Sequence, residues 1–279
     1  MRRGPRLGIL SAIAVAVAIS LAAPTRQIQA QIITLVDNNS VAQVNVGSQT
    51  GMFNWSVGGQ NQLFQQWFWY RVGNVNPEAS IDTISAPSIT TPNARTLYTV
   101  YNNGAFSVEV DYSLTGGLAG SGHSDIGETI RINNLTANLL DFHFFQYSDF
   151  DLGGVIGGQT VQLGKDLHGL FNEALQTGPI GTLDESTTVD TPGANHGEAN
   201  FFNATLAKLN DGVPTTLNDN AGPVGPGDVT WALQWDLPIA GGGTAIISKD
   251  KFLTVPEPSS LALFSVGLAG LMWRRRKRS

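Results

Sequence analysis

Cysteine is absent from the 279 residues. That excludes disulfides, thiolate zinc sites and cysteine nucleophiles. An exported chain without cysteine must draw its stability from its core or from bound ions. Charge is scarce too, at 14% of residues, and basic charge is scarcest where it matters. Nine of the 16 basic residues are Arg2, Arg3, Arg6, Arg26 and Arg274–Arg278, at the two ends. The stretch 31–255 keeps seven basic residues against 21 acidic ones, a net charge of −14 where the whole chain carries −6. Such a body repels phosphate, which argues against nucleic acid as a partner. The P-loop, the G-x-S-x-G elbow and H-E-x-x-H are all missing, so phosphate-cradling, serine-hydrolase and zinc-hydrolase chemistry have no motif support. No solenoid or propeller period is visible. The 32 glycines follow no G-X-Y period, and 42% hydrophobic content is too high for a wholly disordered chain.

The ends read as addresses. Arg2, Arg3 and Arg6 precede an uncharged run, Leu7–Ala23, and Ile28-Gln29-Ala30 ends on a small residue. This is the layout of a secretory signal peptide over 1–30. At the other end, Val255-Pro256-Glu257-Pro258 leads into the apolar run Ser259–Trp273, then Arg274, Arg275, Arg276, Lys277 and Arg278. Fifteen residues make a helix of roughly 22 Å, short for a bilayer, and the basic cluster fixes a cytoplasmic end.

This tail resembles the PEP-CTERM sorting signal of Gram-negative bacteria. Pro256, Glu257 and Pro258 match its motif, Ser259–Trp273 its membrane helix and Arg274–Arg278 its basic end. The resemblance implies an exported protein held transiently in the inner membrane after passing the secretion translocon. It further implies processing by exosortase, a membrane protease, and delivery to the cell surface or the extracellular polymeric matrix. The reading that follows is a non-enzymatic surface or matrix protein. Its alternatives are a secreted carbohydrate-binding module or polysaccharide-acting enzyme, with extracellular polysaccharide as partner, and a calcium-dependent adhesin.

Between the ends the pattern is β. Phe106, Val108, Val110, Tyr112 and Leu114 alternate with polar residues, after a hairpin signal at Asn102-Asn103-Gly104. Val229, Trp231, Leu233, Trp235 and Leu237 alternate likewise. Ile32–Val36, Val41–Val46, Met52–Val57, Leu63–Val72, Thr96–Tyr101, Thr129–Ile132, Leu139–Ser148, Thr160–Leu163 and Thr244–Ser248 are further strand candidates. Short helices are predicted over Asn200–Leu209 and, more weakly, Lys165–Leu175. Leu183–Gly197 and Asn210–Gly227 are expected as loops. The expected fold is all-β, a single antiparallel β-sandwich of jelly-roll type over 31–254, between a signal helix at 1–30 and a sorting and anchoring segment at 255–279.

Three segments carry candidate chemistry. In Gln65–Arg71 a strand places Trp67 and Trp69 together, either as a two-sided buried strand or as an aromatic ligand platform for sugar rings. In Asp141–Asp151, Asp141, His143, Tyr147, Asp149 and Asp151 share a face. That face is expected to be solvated, with Asp149 and Asp151 as oxygen ligands for Ca²⁺ the sharper alternative. Ser121-Gly122-His123-Ser124-Asp125 holds triad residue types but reads as a surface loop. No His pair among His123, His143, His168 and His196 has ligand spacing. Glu109, Glu128, Glu173, Glu185 and Glu198 are candidates for a glycosidase carboxylate pair, but acidic residues are expected on an acidic surface and spacing singles out no pair.

Overall fold

The computed structural model describes residues 31–188 and 190–256. The signal segment 1–30 and nearly all of the sorting tail (Glu257, Pro258, the apolar run and the basic cluster) lie outside them. Eighteen strands occur in chain order: β1 (Ile32–Asp37), β2 (Ser40–Asn45), β3 (Gly51–Val57), β4 (Gln60–Asn61), β5 (Leu63–Val72), β6 (Ala79–Ser80), β7 (Ser88–Asn93), β8 (Thr96–Asn102), β9 (Phe106–Gly116), β10 (His123–Asn134), β11 (Leu140–Phe150), β12 (Gln159–Lys165), β13 (Phe171–Thr177), β14 (Thr182–Thr187), β15 (His196–Phe201), β16 (Val224–Gly227), β17 (Val229–Ile239) and β18 (Thr244–Thr254). The α-helix α1 (Ala204–Lys208) is a single short turn.

The strands form two nine-stranded sheets. The first runs β1-β2-β3-β5-β11-β17-β15, with β4 on β3 and β6 on β5. The second runs β16-β12-β13-β14-β18-β10-β9-β8-β7. Pairing is antiparallel except for a short parallel contact of β3 with β5 at Gln66. The all-β antiparallel sandwich therefore stands, larger than the eight strands of a jelly roll.

The core lies between the sheets. Phe68 and Tyr70 of β5, Phe142 and Phe144 of β11 and Trp235 of β17 line the inner face of the first sheet, as their registers require. Phe68 stacks on Phe144 at 5.3 Å, and Tyr70 meets Phe106 of the second sheet at 5.5 Å. Aromatic rings each bury ~150–250 Å² and prefer such stacked or edge-on contacts, so these pairs set the sheet separation.

Several expectations are corrected. Lys165–Leu175 is not helical but the β12–β13 turn and strand: Val161 and Leu163 point into the core with period two, as do Ala174 and Gln176, and Phe171 joins them across an irregularity in the ladder. The start of the expected loop Leu183–Gly197 belongs to strand β14 (Thr182–Thr187), since Leu183 and Glu185 face inward. Asn200–Leu209 starts as β15 and turns helical only at Ala204. After Asn133-Asn134 the chain crosses between sheets, since β10 belongs to the second and β11 to the first. The side-chain amide of Asn134 donates to the Asn138 and Ile239 carbonyls (2.7 and 3.0 Å). It thus ties the β10–β11 crossing to the β17–β18 crossing.

Candidate functional site

The outer face of the first sheet concentrates the polar side chains. On β5 and β11 the residues opposite the core are Gln65, Trp67, Trp69, Arg71, His143, Phe145, Tyr147 and Asp149. On β17 they are Thr230, Ala232, Gln234 and Asp236. This face is not the solvated one expected from alternation. The segment 202–220 crosses it, and its backbone is held by side chains of the sheet. Arg71 Nη1 donates to the Thr215 carbonyl (2.5 Å), and Gln234 Oε1 accepts the Leu217 amide (3.0 Å). Glu198 of β15 is clasped by Lys208 Nζ (2.6 Å), Thr205 Oγ1 (2.7 Å) and the Asn218 amide (3.2 Å). Burial alone would raise its carboxyl, but these donors hold it below the usual range.

Trp67 and Trp69 lie beneath this cover, 1% and 0% exposed. Their indole N–H groups donate to Ser80 Oγ (2.8 Å) and Asn210 Oδ1 (3.4 Å). Neither ring is an open platform, because β6 and the 202–210 segment occupy the space a sugar would need. The exposed aromatics are nearby instead. Phe64 and Phe202, 52% and 46% exposed, meet edge to face at 6.0 Å. Phe64 lines a cavity of about 570 Å³ with Gln49, Thr50, Asn61, Gln65, Asp151 and Asn210. A second cavity of about 530 Å³ adjoins it through Gln49 and Asn210, and is lined by Asn45, Ser48, Asp82 and Thr83. Together they form a groove rich in amides and hydroxyls, with no basic side chain along it.

A histidine–carboxylate cluster sits at the other end of β11. Asp236 bridges two imidazoles: its Oδ1 is 2.6 Å from His143 Nδ1, and its Oδ2 is 3.5 Å from His196 Nε2. His196 Nδ1 lies 3.0 Å from Asp219. Burial would raise Asp236, but hydrogen bonds from Gln234 and His143 hold it below its ordinary value. Sequence spacing gave no sign of this group, because its members come from β11, β15, β17 and a loop. No triad forms at Ser121-Gly122-His123: the His123 ring stacks on Phe252 at 5.5 Å, and Ser121 Oγ accepts the His123 amide.

At the groove end of β11, Asp149 and Asp151 are joined by Asp228. One carboxylate oxygen of each lies within 4.8 Å of the others. Burial, then Asp228 and Asp151, pushes the Asp149 carboxyl up to about 8, and Asp151 and Asp228 are raised as well. Three of the other acidic candidates are engaged elsewhere in the fold. Glu128 and Glu185 are in the core against Lys249 and Lys251, and Glu109 accepts from Asn133 Nδ2 (2.9 Å).

The chain leaves the sandwich beside another cavity, of about 380 Å³, lined by Asn39, Gly122, Ile180, Val255 and Pro256. The Val255 amide donates to the Gly122 carbonyl (2.7 Å), so the first residues of the sorting tail are fixed to the body.

Similar solved structures define the class. A bacterial glucoamylase complexed with acarbose superposes at a TM-score of 0.57 with 9% identity, over 85% of this chain and 36% of that one. This chain thus spans about a third of that enzyme. A Synechocystis sp. PCC 6803 protein gives 0.52 with 13% identity, over 81% and 96% of the two chains. A galactose mutarotase-like protein from Clostridium acetobutylicum gives 0.50 with 6% identity, over 80% and 94%. At these identities the likeness is one of fold: a large two-sheet β-sandwich. No curated protein matches the sequence. The particular chain is placed by its C-terminus, where residues 254–277 match the PEP-CTERM protein-sorting motif. That motif implies processing by exosortase and export through the membrane to the cell surface. No helix among the described residues is long and apolar enough to cross a membrane.

Proposed function

We propose that this is a non-enzymatic protein of the cell surface or extracellular matrix whose β-sandwich holds neutral polysaccharide in the groove beside Phe64. On this reading 1–30 directs the chain to the translocon. The tail then holds it in the inner membrane until exosortase releases the body. The observation that carries the binding role is the groove itself. The exposed Phe64–Phe202 pair offers flat apolar surface for the C–H faces of sugar rings. The amides of Gln49, Gln65 and Asn210 offer both donors and acceptors for ring hydroxyls. With no basic side chain in the groove and −14 on the body, anionic polymers are disfavoured. The solved structures of similar fold include a glucoamylase and a galactose mutarotase-like protein, which accords with a sugar ligand. The test is affinity electrophoresis of the mature protein through gels containing neutral or acidic polysaccharide. Retardation by a neutral polymer, lost in Phe64→Ala with the fold intact, is expected. Equal mobility in every gel would refute the binding role.

A second reading rests on the His143–Asp236–His196 group, which has the proton-transferring residue types of an acid–base site. It predicts turnover of a small sugar that His143→Gln abolishes. Absence of turnover in the wild-type protein removes this reading and leaves the first untouched.

A further inference from the structure

We propose that Asp149, Asp151 and Asp228, together with the Thr230 hydroxyl, form a calcium site at the end of the first sheet. Three observations carry it. The first is burial without a counter-charge. Asp149 is 1% exposed, yet among the described residues its only side-chain hydrogen-bond donor is the Tyr147 hydroxyl, at 3.4 Å. Among the described residues no Lys, Arg or His pairs with any of the three carboxylates. Buried charges are otherwise paired or coordinate metals. The second is an unspent polar atom. Thr230 is fully buried, and its Oγ1 has no hydrogen-bond partner among the described residues. In the β11–β17 ladder Thr230 stands directly across from Asp149, so the two side chains share a face with Cβ atoms about 4.5–5.5 Å apart. Asp228 lies just before β17, with a carboxylate oxygen beside that of Asp149. The orphaned hydroxyl is therefore on the carboxylates' side of the sheet, next to Asp149 and Tyr147.

The third observation is proximity. One carboxylate oxygen of each of the three lies within 4.8 Å of the others, so a single cation placed among them is within reach of all three. Ca²⁺ takes about six to eight oxygen ligands in flexible geometry, whereas Mg²⁺ demands a near-ideal octahedron and gives up its waters reluctantly, so a corner of protein carboxylates favours calcium. The ligands are all hard oxygens, the set calcium prefers. Three like charges in one corner, with Asp149 buried and Asp151 and Asp228 half-buried, resist ionising together, and a divalent cation removes that cost. In a chain without cysteine, such an ion would pin the end of β11 to the start of β17, next to the groove that Asp151 lines. The site stands whether or not that groove holds a glycan.

The test is calorimetric titration of the metal-stripped mature protein with CaCl₂, with MgCl₂ in parallel, and melting curves in calcium and in chelator. One calcium ion per chain, a melting temperature raised by calcium, and magnesium at least tenfold weaker are expected. Asp228→Asn should weaken calcium at least tenfold. Asp149→Asn should abolish the calcium-induced rise while melting no lower than the wild-type protein in chelator, because it also removes repulsion. That last result separates a ligand from a merely structural carboxylate. No heat and an unchanged melting temperature at millimolar calcium would overturn the proposal. So would equal calcium affinity in wild type and Asp228→Asn, or an equal response to magnesium.

Discussion

Replacing Lys251 with methionine tests the least expected feature of the core. Lys249 and Lys251 point inward from β18, where Ile247 and Leu253 do the same. They meet Glu128 of β10 and Glu185 of β14. Lys251 Nζ is 2.6 Å from Glu128 and 3.1 Å from Glu185; Lys249 Nζ is 2.9 and 3.6 Å away. Gln146 of the opposite sheet completes the group, bonding both Lys249 and Glu185. All four charged side chains are 0–2% exposed, and they sum to zero. Burial alone would raise Glu128, but the two ammonium groups overcome it and hold the carboxyl below its ordinary range. Lys251 is held above its own by the two carboxylates, against burial. Lys251→Met leaves one uncompensated negative charge in the core, a loss of about 3–5 kcal/mol. At ~2–4 °C per kcal/mol for a domain of this size, the melting temperature should fall by about 6–20 °C. Adding Glu128→Gln removes the excess charge and should recover most of that loss, since neutral replacement of buried ion pairs is often tolerated. Urea unfolding of the mature protein, followed by circular dichroism, measures both variants. A loss under about 1 kcal/mol for Lys251→Met, the range of solvent-exposed pairs, would refute the reasoning. So would a double variant no more stable than the single.

The same core sets an acid limit. Because the folded pKa of Glu128 is depressed, its contribution is complete above the unfolded value of ~4.3 and is lost as pH falls through the folded one. Below about pH 4 the melting temperature should drop, and more steeply in wild type than in Glu128→Gln once both are scaled to neutral pH; parallel curves would sink this. Trp69→Ala empties a fully buried site and should cost about 3–5 kcal/mol in denaturant titration, whereas Phe64→Ala, at an exposed ring, should stay within about 0.5 kcal/mol and lose only polysaccharide retention. Gly122→Ala is expected to destabilise by about 1–3 kcal/mol. Gly122 has φ +66°, and a Cβ would meet the Val255 carbonyl oxygen at 1.8 Å, so limited proteolysis should reach the Val255 region faster in that variant. Deleting Arg274–Ser279 should impair membrane retention or surface delivery, read by fractionation; normal surface display would count against the sorting route.

Strand identity was legible wherever one face is apolar, as in Phe106–Leu114 and Val229–Leu237, because period two is a local property. What covers the second face was not. Gln65–Arg71 and Asp141–Asp151 alternate or run apolar in ways that fit a solvated strand, a platform or a doubly buried one. The choice is made by 202–220, a distant polar loop whose backbone amides Gln234 and Glu198 accept. Partnership was illegible for the same reason. Asp149 and Asp151 were visible as neighbours, but Asp228 reaches them only through the β11–β17 pairing. The core charges did leave a trace: Ile247, Lys249, Lys251 and Leu253 hold one register, which puts two lysines on an apolar face. Such a placement is stable only if carboxylates arrive from other strands. In a body with seven basic residues against 21 acidic ones, two lysines are committed to the core, Arg71 to Glu78 and Lys208 to Glu198. The protein's own cations are thereby drawn away from the Asp149 corner. A carboxylate cluster there either holds a proton, as the raised Asp149 carboxyl allows at neutral pH, or releases it to a cation from solution, so calcium binding there should strengthen as pH rises through about 8.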